Sequence, residues 1–173
     1  MLVPATDADL IQAAALINSA YRGESARQGW THEADYIDSP RTTVETLRDD
    51  LACNPAARLY LLRDAHGDPL LGCVWLEPHD ETTWRLGMLT VRTDLQDRRL
   101  GRTLLTHAEA IVTGQGGTAL RMTVIHFRDT LIAWYQRRGY RLTGETEPFP
   151  MEQPPGLDLH FVVLEKRLDP ALA

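Results

Sequence analysis

Apolar residues recur along this chain with two different periods, and the switches between them mark out the elements. Leu2 to Ala5 reads as a short extended run. Thr6-Asp7-Ala8-Asp9 then has the order of a capping box, and Leu10, Ala13, Ala14, Ile17 and Tyr21 follow three or four apart, which predicts an amphipathic helix ending near Gly23. Residues 23–41 show no clean period. A second helix is expected from Thr42 to Ala52, with Val44, Leu47 and Leu51 on one face and Asn54-Pro55 as its stop. Arg58 to Arg63 and Leu70 to Glu77 are apolar runs separated by turn chemistry at residues 64–69, the signature of a hairpin, and a further strand is predicted from Thr83 to Val91.

At Val91 the pattern changes within a few residues. The polar elbow Arg92-Thr93-Asp94 leads into a helical period at Leu100, Leu104, Ala108 and Ile111, and a β-rich run from Ala119 to Ile125 follows the break at residues 114–117. Strand, helix and strand in that order make a right-handed crossover whose strands lie parallel, with ligands expected at their carboxyl ends. That end carries Gln96, Asp97, Arg98, Arg99, Gly101 and Arg102. First-turn amides without intrahelical partners, the helix dipole and guanidinium groups together favour an anion. A solvated helix start that merely carries basic residues has the same spacing, and one glycine does not separate the two. A last helix is predicted around Leu131, Ile132 and Tyr135, with Asp129 or Thr130 as its cap and Gly139 as its stop. Strands at about Arg141 to Gly144 and Leu159 to Leu168 complete the chain around a proline-rich loop at residues 147–156. The expected fold class is α/β: one mixed, mostly antiparallel sheet of six or seven strands with helices on both sides. Its parallel unit consists of the fourth strand, the helix after it and the fifth strand.

Two stretches carry a resemblance. Gln96-Asp97-Arg98-Arg99-Leu100-Gly101, between Leu89-Thr90-Val91 and Thr103-Leu104-Leu105, resembles the Q-x-x-G-x-G/A acyl-CoA pyrophosphate loop of the GNAT N-acetyltransferase superfamily, with Arg99 where that pattern has its first glycine. A positive φ at this position would cost a non-glycine residue about 1–2 kcal/mol, which one charge-assisted phosphate contact offsets. Ala133-Trp134-Tyr135-Gln136-Arg137-Arg138-Gly139-Tyr140 is similar to the family's A-x-x-F/Y-Y-x-x-x-G-F/Y helix, entered here through Arg128 and Leu131 where relatives often have Asn and Ala. Taken alone, Tyr135 on an amphipathic helix reads more readily as core than as catalyst. Two motifs in the right order with one strand between them reverse that reading.

The resemblance implies a single GNAT domain over residues 1–173 that moves an acetyl group from acetyl-CoA directly to a primary amine of a small molecule or peptide, leaving CoA. It implies that Leu89, Thr90 and Val91 pair with the pantetheine amides, the Leu89 amide facing the developing oxyanion. Residues Gln96, Asp97, Arg98, Arg99, Leu100, Gly101, Arg102 and Thr103 would hold the phosphates, with Arg128, Ala133, Tyr135 and Arg138 across from them. Tyr135 would protonate the leaving thiolate, its hydroxyl being a donor of suitable strength. The strand positions where many relatives place a glutamate are Arg85, Leu86, Gly87 and Met88, so a water chain to Glu33, Glu77 or His126 stands in as base. In that family the segment between the first two helices overlies the acetyl end, which makes Trp30, Glu33, Tyr36 and Arg41 candidate acceptor contacts, together with His126 at its strand end. An aromatic face beside a carboxylate would suit a protonated amine; the competing reading has Trp30 and Tyr36 sealing the core while Glu33 pairs with Arg41 on the surface. A non-catalytic acyl-CoA-binding module is the alternative. A dinucleotide-binding fold is disfavoured because G-x-G-x-x-G is absent.

Composition narrows the picture. At 173 residues the chain buries a core without staples, and a net charge of -6 argues against nucleic-acid or anionic-membrane surfaces. Cys53 and Cys73 are too few and too far apart for a zinc site or disulfide framework, and read as buried small hydrophobes in a reducing compartment. No metal-ligand spacing, secretory leader or long apolar span is evident, so a cytoplasmic protein, monomer or homodimer, is expected.

Overall fold

The computed structural model describes residues 2–29, 32–35, 37, 39–64, 69–150, 156 and 158–169. Seven strands form one sheet: β1 (Leu2–Pro4), β2 (Arg58–Arg63), β3 (Leu70–Pro78), β4 (Thr83–Val91), β5 (Ala119–Ile125), β6 (Arg141–Pro148) and β7 (His160–Arg167), in the order β1-β2-β3-β4-β5-β7-β6. All neighbours are antiparallel except β4 and β5. The helices are α1 (Leu10–Tyr21), α2 (Gly23–Ala26), α3 (Val44–Cys53), α4 (Leu100–Gly114) and α5 (Asp129–Gln136). Fold class, parallel unit and most element bounds are as the hydrophobic pattern predicts.

Why the central strands read as unbroken apolar runs is plain from their two faces. In β2, Leu59 and Leu61 pack with Leu10, Ala13, Ile17 and Leu47 of α1 and α3, while Tyr60 and Leu62 pack with the Leu104, Leu105, Ala108 and Val112 side of α4. In β3, Cys73 and Trp75 share the first layer, and Val74 and Leu76 the second. Helices cover both faces, so neither parity can be polar. At Gly72 a Cβ would sit 2.6 Å from the Thr90 carbonyl oxygen and 2.6 Å from Leu104 Cδ1, and its absence lets α4 approach the sheet closely.

Four local readings need correction. The one-turn helix α2 lies inside the stretch without a period, being too short to show one. Strand β6 continues to Pro148 instead of ending at Gly144: its register with β7 shifts between Leu142 and Thr146, so Gly144 (φ 88) marks an irregularity within the strand. Helix α5 has Arg128 at its N-cap with no side-chain cap bond, and Asp129 is its first residue. Cys53 is exposed, and only Cys73 is the buried thiol expected of both.

Strand β4 carries the feature that shapes the site. Trp75 pairs with Gly87 and Cys73 with Thr90, so one residue of β3 faces two of β4, with Met88 at φ 46 in the interruption. Before this bulge Trp84 and Leu86 face α4 and α5; after it Leu89 and Val91 do. Pairing with β5 is confined to Thr83–Arg85 against Ala119–Arg121. Beyond Arg85 no strand among the described residues pairs with that edge of β4, and a cleft opens between the carboxyl ends of β4 and β5.

Candidate functional site

The cleft holds two cavities that meet. The first, about 430 Å³, runs from the α4 N-terminus to the middle of the sheet and is lined by Leu89, Thr90, Val91, Gln96, Arg99, Gly101, Arg102, Arg128, Tyr135 and Arg138. Ten residues assigned to an acyl-CoA from sequence are thus brought together. Ala20, Tyr21, Leu131 and Trp134 also line it and were not assigned. Of the rest of that set, Arg98 and Thr103 are exposed, Leu100 packs against the core, and Ala133 is half-buried; none of these lines the cavity. The side chain of Asp97 lies outside what is described.

At the phosphate end, a 3₁₀ turn over Thr93–Arg98 delivers the chain to Arg99, whose φ of 61 and ψ of 11 place it in the left-handed region as the N-cap of α4. The glycine-like conformation is therefore present on an arginine, and its side chain lines the cavity. Thr103 N donates to Arg99 O at 3.1 Å, closing the first turn of α4. Arg138 stacks on the Trp134 ring at 3.6 Å, donates through Nη1 to Trp134 O at 2.6 Å, and leaves a buried Nε with no hydrogen-bond partner among the described residues. Burial first, and then Arg137 and Arg102, push its guanidinium below the ordinary arginine value. Clustered cations with unused donors at a helix start suit an anion. The open β4 edge beside them suits an extended chain carrying amides. An acyl-CoA fits this donor set and shape.

Where the cavities join stand two phenols. Tyr135 is 5% exposed and lines both cavities; burial pushes its hydroxyl well above the usual tyrosine value, so it stays protonated at any physiological pH. Tyr21 likewise lines both, is raised by burial, and donates to Leu89 O at 3.3 Å. Its place at the end of α1, in register with Leu10, Ala14 and Ile17, made it look like core; nothing local to the sequence separates the two roles.

The second cavity, about 400 Å³, lies on the far side of this junction and has mixed walls. Glu33 is 6% exposed and clamped: Oε2 accepts from Arg22 Nε (3.0 Å) and Nη2 (2.8 Å), and Oε1 from Arg128 Nη1 (3.0 Å). Its partners are these two buried arginines, not Arg41 as in the surface-pair reading. Arg22 Nη1 also donates to Ser39 O at 2.8 Å. Across the cavity Arg85 pairs with Glu147 at 2.8 Å. Arg41, exposed at the rim, makes no ion pair among the described residues and lies 5.8 Å from the centre of the Tyr21 ring, while Arg128 lies 5.7 Å from it. Trp30 and Tyr36 lie outside the described residues. His126 does not line either cavity; its ring stacks on His160 with centroids 3.8 Å apart, and Nδ1 lies 3.3 Å from His160 O. Glu77 is also elsewhere, accepting from Asn54 Nδ2 and Trp75 Nε1 at 3.0 Å each.

Among the described residues no group of side chains could hold a metal ion, and no helix is long and apolar enough to cross a membrane. Solved structures with the same fold include the ribosomal-protein-S18-alanine N-acetyltransferase from Escherichia coli (14% identity, 98% of this chain and 94% of that one, TM-score 0.71). They also include a spermidine N-acetyltransferase chimera from Vibrio cholerae (14%, 97% and 95%, TM-score 0.72). A third is a GNAT family acetyltransferase from Elizabethkingia anophelis with acetyl-CoA bound (20%, 70% and 82%, TM-score 0.59). At these identities the likeness establishes the fold alone. No curated protein matches the sequence. The sequence itself matches the acetyltransferase (GNAT) family over residues 20–140, a span that includes the β4 bulge, the left-handed Arg99 loop and the tyrosine of α5, and the chain belongs to that family.

Proposed function

We propose that the protein is an acetyl-CoA-dependent N-acetyltransferase that transfers the acetyl group directly to a primary amine of a small molecule or peptide. The observation that carries this reading is the meeting of two cavities at Tyr135 and Leu89, one shaped for a phosphate-bearing chain and the other open to a second reactant. The first-turn amides of α4 with Arg99, Arg102 and Arg138 bind the phosphates. The β4 edge from Leu89 to Val91 aligns the pantetheine arm, and the Leu89 amide faces the oxygen on which negative charge grows. Acetyl-CoA supplies the activated acyl group. As the amine attacks and the C–S bond breaks, Tyr135 gives its proton to the departing sulfur, and the proton shed by the new amide nitrogen returns through solvent to the phenol. A phenol kept protonated by burial suits that role.

One observation favours the alternative of a non-catalytic acyl-CoA-binding module. Both carboxylates in the second cavity, Glu33 and Glu147, are held by arginines, and no histidine lines it, so the described lining offers no uncommitted base. In the catalytic reading the amine loses its proton to solvent before attack. Two measurements decide: calorimetry with acetyl-CoA, and release of free CoA thiol over an amine panel. Binding with thiol release supports transfer; binding without release for any amine supports the module.

A further inference from the structure

The acceptor cavity has a charge balance opposite to what a simple cationic amine needs. Among the described residues it is lined by Arg22, Arg41, Arg85 and Arg128 against Glu33 and Glu147, four positive side chains to two negative. Glu33 answers Arg22 and Arg128, and Glu147 answers Arg85. Among the described residues Arg41 has no carboxylate of its own; Asp50 feels its field, yet forms no ion pair with it and does not line the cavity. Glu33 is therefore a poor receptor for an ammonium, because both its oxygens already accept from guanidinium groups.

From this geometry, and resting on the acetyltransferase reading above, we infer that the acceptor is a small amine that carries an anionic group, a carboxylate or phosphonate, a few bonds from its nitrogen, and that Arg41 receives that group. A guanidinium fork matches either anion in bidentate fashion. Spacing sets the size. Arg41 lies over the Tyr21 ring, and the hydroxyl of that ring reaches Leu89 O at the junction, so the unpaired cation is about one side chain's length from where the amine must attack. A zwitterion with its two charged groups close together spans that gap, whereas a polyamine would bring further positive charge against Arg41. Part of the lining is apolar: Phe149 and Phe161 pack with ring centroids 5.2 Å apart next to Ile125, a surface for an apolar side chain. The acceptor class is that of the apolar amino acids and their phosphonate analogues.

The test is steady-state acetyl transfer by the full chain to acceptors that differ only in the acid group. These are phenylalanine, its aminophosphonate analogue, phenylalaninamide and phenethylamine, with spermidine and a neutral tetrapeptide beside them. The acids should exceed the amide and phenethylamine in kcat/KM by tenfold or more, and the ratio of carboxylate to phosphonate shows which anion fits. In Arg41→Gln that preference should collapse by fivefold or more with the KM for acetyl-CoA unchanged. Arg41→Glu should reverse it. The side chain of Arg41 makes no ion pair among the described residues, so both variants are expected to keep the fold, and their melting temperatures check this. Neutral amines, spermidine or the peptide accepted as well as the acids, or a preference that survives Arg41→Gln, overturns this inference and leaves acetyl transfer standing. Tight binding of acetyl-CoA with no thiol release from any acceptor defeats the acetyltransferase reading and this inference with it.

Discussion

Replacing Glu33 by glutamine keeps the shape of the side chain and removes the one charge that two buried guanidinium groups share. In the native structure Glu33 accepts three charge-assisted hydrogen bonds, and the side chains of Arg22, Glu33 and Arg128 are only 7–8% exposed. A glutamine offers one acceptor oxygen, and its amide nitrogen would turn donor hydrogens toward an arginine. Breaking a buried pair from one side costs about 3–5 kcal/mol, because the surviving charge has no water to return to. Against a typical stability of about 5–15 kcal/mol this is a large fraction, and for a domain of this length it corresponds to a fall in Tm of about 6–20 °C. Scanning calorimetry of wild type and Glu33→Gln measures it directly, with Arg41→Gln as a control whose charge change is equal in size and opposite in sign, at a side chain with no ion pair among the described residues. A drop below about 3 °C, together with a raised acceptor KM in a well-folded variant, would refute the clamp and return Glu33 to the acceptor contact suggested by its sequence position.

Three further outcomes are expected. Tyr135→Phe should lower turnover by about 10²-fold or more while acetyl-CoA affinity in calorimetry stays within twofold; wild-type turnover would mean that Tyr21 or water protonates the sulfur. Arg99→Gly relieves a left-handed residue and should raise the Tm of the ligand-free protein by about 2–4 °C, offset in part by the flexibility of glycine in the unfolded chain. It should also weaken acetyl-CoA about 10- to 100-fold by removing a cation from the phosphate end, and unchanged affinity would take that side chain out of the site. An aromatic disulfide reagent at pH 8 should titrate one thiol rapidly, the exposed Cys53. Cys73, its thiol pushed up to about 12 by burial, should react only after urea unfolding, and equal rates for the two would contradict its placement.

What the sequence could and could not tell follows from how local each signal is. The bounds of β2, β4 and β5 are legible because their apolar runs are bounded by turn residues, and those of α1 because four of its core residues share a face. The far half of β6 is not legible, because residues 143–146 are all exposed and no hydrophobic alternation continues past Gly144. At the site, the loop from Gln96 and the helix of Tyr135 were legible as contiguous motifs. The partners of Glu33 were not: Arg22 lies in the preceding helix junction and Arg128 is 95 positions away, and no spacing rule joins them. The net charge of the second cavity is likewise a property of four separate segments, which is why an aromatic and acidic loop suggested a cationic acceptor while the assembled walls suggest an anionic one.

The extra residue at Met88 works as a change of phase. Upstream, even-numbered side chains of β4 belong to the α4 layer; downstream, odd-numbered ones do. Deleting Met88 would leave Leu89 and Val91 on the α4 side and Thr90 on the other, now in unbroken alternation with Trp84 and Leu86, and would let the β3 ladder run on without interruption. The cleft is thus encoded by a count rather than by a particular side chain. Substitutions at Met88 that keep the chain length should leave the fork between β4 and β5 in place, whereas a single-residue deletion, conservative in composition, should close it.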